Sequence, residues 1–128
     1  RNINLPGFGL AATETARVSL TNLAANATNG TAAACNGSVQ FVNAAGANIG
    51  TASTFSIAAG VTTSVSLPFG SSGATGTRAQ IRPVVAVTRV SNAQTPCSLS
   101  IVVESFDTSS GVTHVYHAEG DAVGGFGR

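Results

Sequence analysis

Apolar side chains recur at every second residue along much of this chain, and that period belongs to β-strands with one buried face. In residues 14–23, Ala16, Val18 and Leu20 alternate with Arg17, Ser19 and Thr21. Residues 35–43 carry Cys35, Val39 and Phe41 on one parity. Residues 49–57 group Ile49, Thr51, Phe55 and Ile57, and residues 61–67 group Val61, Thr63, Val65 and Leu67. Residues 79–90 are the most β-branched stretch. Residues 97–106 put Cys97, Leu99, Ile101 and Val103 on one face, and 112–118 form the last run. No stretch has a helical period.

Residues 43–48, 58–60 and 107–111 have turn composition, so the strands over 35–67 are expected as a meander of hairpins. Residues 21–34, 69–77 and 91–96 read as loops. Pro83 cannot donate a ladder hydrogen bond, so an edge, a bulge or a kink is expected there. Short strands at this regular spacing predict an all-β fold: a seven-stranded antiparallel β-sandwich of immunoglobulin-like type, with a small closed barrel as the alternative. The expected organisation is an N-terminal extension over 1–13, the sandwich over 14–118 and a Gly-rich tail over 119–128.

Ala, Gly, Ser and Thr fill about half of the chain, which leaves little bulk for a core. Cys35 and Cys97 head the second and sixth predicted strands. Buried thiols are one reading of the pair. An inter-sheet disulfide is the preferred one, and in the chain-entropy view it would stabilise the fold by ~4 kcal/mol. No Trp is present to pack against it.

Charge excludes several functions. Six Arg, no Lys and five acidic residues make no basic field, so nucleic acid is not an expected partner. No apolar run is long enough for membrane insertion, and the regular apolar spacing argues against disorder. Arg1 rather than Met opens the sequence, from which a processed, secreted chain is expected, extracellular or at the cell surface.

Residues 79–85 (Ala-Gln-Ile-Arg-Pro-Val-Val), the Cys97-Ser98-Leu99 strand start, Glu104-Ser105-Phe106-Asp107 and Thr113-His114-Val115-Tyr116 form a recurrent pattern. Over roughly its second half the chain resembles uncharacterised secreted immunoglobulin-like β-sandwich domains of Acidobacteria-type soil bacteria. The turn Ser110-Gly111 departs mildly from their Thr-Gly pattern, and residues 57–67 fit only loosely. The resemblance implies export and a sandwich fold, with no activity and no functional residue.

Catalysis is not expected. No Gly-x-Ser-x-Gly elbow occurs, and nothing sets a serine beside His114 or His117 with Asp107. His117, Glu119 and Asp121 share a parity that could face a metal ion, but Gly120 interrupts them and no fourth ligand follows. A polar strand end is the preferred reading, so no metal or other cofactor is expected. His114 and Tyr116 take the other parity, as decoration of an outer face. Sequons begin at Asn26, Asn29 and Asn36, about the number chance allows in so Asn- and Thr-rich a chain. Arg78 and Arg82 share a face near a Gly-rich loop and could grip an anionic sugar, although a solvated face is the plainer reading.

Both ends carry a Phe between glycines, with other apolar residues near. Sheet edges are usually guarded by charge, above all by Lys, and this chain has none to spend. The expected function is therefore a non-enzymatic secreted structural subunit, self-assembling into an extracellular filament or surface layer. Copies would meet through sheet edges and through Ile3, Leu5, Phe8, Leu10, Val123 and Phe126. The alternative is a carbohydrate-binding or adhesin module, with surface glycans as partner and Phe69 or Tyr116 beside Arg78 and Arg82 as its site.

Overall fold

A computed structural model describes residues 2–24, 34–88 and 98–119, with the backbone alone over 115–119. The chain forms two antiparallel sheets packed face to face. Among the described residues, nine strands build them: β1 (Asn2–Asn4), β2 (Phe8–Ala11), β3 (Glu14–Asn22), β4 (Cys35–Asn43), β5 (Asn48–Ile57), β6 (Thr62–Pro68), β7 (Arg78–Thr88), β8 (Leu99–Asp107) and β9 (Thr113–Glu119). The first sheet runs β1-β7-β4-β5, with β2 also on β7, and the second runs β6-β3-β8-β9.

Seven of these strands fall on the seven predicted runs. Their inward parity makes the core: Val18, Leu20, Val39, Ile57, Ile81, Val85, Leu99 and Ile101 are each no more than 2% exposed. Two further strands lie within the expected extension. Residues 2–11 pair with β7, Leu10 is fully buried and Leu5 is 4% exposed, while Ile3 and Phe8 pack against the same core. Residues 2–11 thus pair with the first sheet and pack against its core. Pro6-Gly7 interrupts the alternation there, which conceals two short strands on either side of it.

The meander expected over 35–67 is half present. β4 and β5 form a hairpin, but β6 leaves for the other sheet and pairs with β3. Asn22 fixes this crossing. Its N–H donates to the Val61 carbonyl, and its own carbonyl accepts from Gly60 N–H. Gly60 has φ +79°, a left-handed conformation that a glycine takes without strain. The Asn22 side chain, wholly buried, donates to the Ile57 carbonyl at 3.0 Å and accepts from Ala24 N–H. A buried amide thus ties the two sheets together where β5 gives way to β6.

Taken along the chain, β2, β3 and β4 pair in turn with β7, β6 and β5. They form one antiparallel ribbon wound around the core, and the β4–β7 and β3–β8 pairings close the winding. This is the connectivity of a jelly roll. An immunoglobulin-type sheet would carry the first strand beside the second. Here β8 occupies that side of β3, and β1 and β2 lie on β7 instead.

Pro83 lies in β7 between β1–β2 and β4, an interior position for a residue without a donor. Its carbonyl accepts from Leu5 N–H, so its nitrogen faces the same neighbour. That neighbour is interrupted at this level, between the Asn4–Val84 and Phe8–Ile81 pairs. The missing N–H is matched by a gap in the facing strand. The bulge lies elsewhere, in β5, where the register slips between Val39 and Phe41. Gln40 Nε2 covers it by donating to the carbonyls of Ile49 and Gly50.

Candidate functional site

Sheet order leaves β5 and β6 together at one margin of the sandwich. Among the described residues β5 pairs only with β4, and β6 only with β3. A groove of about 500 Å³ runs between them, lined by residues 53–56 of β5 and 63–66 of β6. Ser53 has the inward parity of Phe55 and Ile57, yet it is exposed, because the two sheets part here. Polar groups in the lining are hydroxyls and backbone amides. No charged residue occurs anywhere between Arg17 and Arg78, so β5 and β6 carry no charge of their own, although Arg17 of β3 reaches Ser66. Its guards are the β5 bulge at Gly50 and the closing Pro68 of β6.

The outer face of the second sheet continues from β6 as a ladder of hydroxyls. Thr21 meets Thr62 at 2.8 Å, Ser19 meets Ser64 at 3.1 Å, and Arg17 Nε donates to Ser66 Oγ at 3.3 Å. The Arg17 guanidinium lies 4.7 Å from the centre of the Phe106 ring, and Glu104 is its register partner. Glu104 accepts from the Thr113 hydroxyl, and Tyr116 pairs with Glu104 in register.

At the other margin, Glu14 opens β3 and is 9% exposed. Its Oε1 accepts from Ala11 N–H at 2.7 Å, and its Oε2 meets His114 Nδ1. The backbone N–H bond first, and then the His114 contact, hold its carboxyl below the usual glutamate value. Asp107 is held low by the N–H groups of Ser110 and Ser109, which its side chain caps in the β8–β9 turn. Thr15 and Thr108 hydroxyls meet at 2.7 Å beside this cluster. The His–carboxylate pair between Glu14 and His114 was not legible in the sequence, because the two residues are a hundred positions apart.

The sequence candidates are distributed as follows. Ile3, Leu5, Phe8 and Leu10 serve the chain's own core, and Val123 and Phe126 lie outside the described residues. Cys35 is fully buried and no cysteine among the described residues is free, while Cys97 lies outside them. Asn36 sits within β4 and its Oδ1 accepts from the Ser56 hydroxyl, whereas Asn26 and Asn29 lie outside the described residues.

Arg78 and Arg82 stand on the outer face of β7. Arg82 donates to Asn4 Oδ1 at 3.2 Å, and Arg78 lies over Gly9, whose missing side chain leaves it room. Arg78 and the loop 72–74 line a second groove of about 330 Å³, so the expected nearness to a Gly-rich loop holds. Tyr116, however, belongs to β9, in the other sheet. Phe69 is packed against the core at the start of a short 3-10 turn. Of the proposed metal triad, Asp121 and the side chains of His117 and Glu119 lie outside the described residues, among which no group of metal-ligating side chains gathers.

No family model matches this chain, and no curated protein or solved structure shows significant similarity to it.

Proposed function

We propose that this chain is a non-enzymatic structural subunit, secreted to the cell exterior or surface, that assembles with copies of itself through the edges of its sheets. The neutral β5–β6 margin carries this reading. β5 has ten residues and β6 seven, both are open on one side, and neither holds a charge. An open strand edge offers a row of unpaired N–H and C=O groups, and another strand satisfies them by β-augmentation. Like charges would oppose such a contact, and the two strands of this margin carry none, with Arg17 of the neighbouring β3 held on Ser66. When the partner surface differs from the margin, the contact is head-to-tail, and an assembly that does not close becomes a filament.

A Cys35–Cys97 bridge belongs to the same proposal. Cys35 pairs in register with Ile57, whose carbonyl Asn22 grips, and Asn22 pairs with Leu99. Leu23 N–H also bonds the Ser98 carbonyl, so the start of β4 and the start of β8 meet across the sandwich at this one node. A covalent link there would suit a durable exterior polymer.

The test is to place a guard where natural edges carry one. Ser53→Lys with Thr63→Lys puts two like charges into the groove, on a surface-exposed and a half-buried residue. Negative-stain microscopy is expected to show filaments or sheets for the parent chain and single particles for the variant. Identical polymers from both would refute the β5–β6 contact.

A second reading, a sugar-binding module, is favoured by the Arg17, Glu104 and Phe106 cluster on the outer face. Arg17 covers the ring that a sugar would stack on, which weakens it. Glycan-array binding lost in both Phe106→Ala and Tyr116→Ala would support this alternative.

A further inference from the structure

We propose that residues 2–11 are an exchangeable segment: they leave β7 of their own chain and occupy the same register on β7 of a second copy. The proposal rests on the self-assembly reading and adds a second, separate contact to it. Among the described residues, β1 and β2 pair only with β7. Their apolar side chains supply part of the core, with Leu10 fully buried and Leu5 nearly so. A second copy's segment would fit this acceptor as well as the native one, because it is the same sequence. Every ladder pair, the Leu5–Pro83 bond and the Asn4–Arg82 bond would re-form.

The hinge is what favours exchange. β2 lies in the first sheet and β3 in the second, and only Ala12 and Thr13 join them. Short crossings of this kind promote swapping, since the chain relieves the tight turn by continuing into a neighbour. This one contains no glycine. A clasp closes it: Glu14 accepts from Ala11 N–H while holding His114, Ala12 N–H bonds the Thr77 carbonyl, and Thr108 N–H bonds the Thr13 carbonyl. Loosening the clasp should favour the open, exchanged form, and lengthening the hinge should favour the closed one. A reciprocal exchange closes a dimer, whereas a segment passed on from copy to copy propagates along one direction.

The experiment uses two variants of the full chain that each add one cysteine to Cys35 and Cys97, Asn2→Cys and Ala86→Cys, at positions that are register partners on the outer face. They are mixed after brief partial unfolding, concentrated, and oxidised mildly. Mass spectrometry then reads the covalent heterodimer between residue 2 of one copy and residue 86 of the other. Exchange predicts that heterodimer, its loss when two glycines are inserted between Ala12 and Thr13, and its gain with Glu14→Gln. Absence of the heterodimer, while the double variant links fully within one chain, would overturn the proposal, as would a heterodimer yield indifferent to the glycine insertion. Repeating the mixture with Ser53→Lys and Thr63→Lys present separates the two contacts. Exchange predicts an unchanged heterodimer there, even where filaments are lost.

Discussion

At the scale of single residues, the fold depends on a few positions where a small or polar side chain meets a tight requirement. Gly37 has the inward parity of Cys35 and Val39 in β4. A Cβ there would stand 2.0 Å from the Ala86 carbonyl oxygen and 2.8 Å from the Phe55 ring. The carbonyl is backbone and cannot swing aside, so Gly37→Ala should destabilise by about 1–3 kcal/mol, the usual cost of overfilling a packed core. Urea denaturation reads this directly, and a change near zero would mean that β4 and β7 are further apart than described. Glu14 supplies a pH dependence. Its folded-state value is lowered from 4.5, so its contribution to stability is fully present above that value and is lost as pH falls through the lower folded one. Thermal melting between pH 6 and pH 2 should show a steeper acid loss for the parent chain than for Glu14→Gln, and Asp107, also lowered, adds to the part that remains.

Among elements, the N-terminal strands matter most for function. They are part of the core, so Leu10→Ala should cost about 2–5 kcal/mol, as buried leucines do. An exposed leucine of a loose extension would cost within about 0.5 kcal/mol. Most of the seven longer strands were legible because apolar residues alternate along them over at least six positions. β1 and β2 were not, since three or four residues on either side of Pro6-Gly7 show no period. The course of β6 was hidden for another reason. Turn composition marks residues 58–60 as a turn whether the next strand stays in the sheet or leaves it, and the deciding bonds come from Asn22, far away in sequence. The interior place of Pro83 likewise required a gap in a strand that the alternation did not reveal. Arg78 and Arg82 were correctly placed on one face, yet Tyr116 was not, because sheet membership is set by long-range pairing and not by spacing.

Over the whole molecule, charge is unevenly placed. The stretch from Val18 to Thr77 is neutral and includes all of β4, β5 and β6. Glu14, Arg78, Asp107 and His114 stand on the other elements. The sandwich thus has a neutral open margin opposite one whose short strands are backed by charged groups. Copies joined margin to margin in the same sense would extend without limit, and assembly would respond weakly to salt, because few charges meet at the neutral side. Sedimentation velocity over a rising concentration series of the full chain, at low and at high salt, tests this claim most directly. Growth from single copies to open-ended polymers that persists at high salt is expected, whereas a single sedimenting species of monomer mass at every concentration would contradict self-assembly.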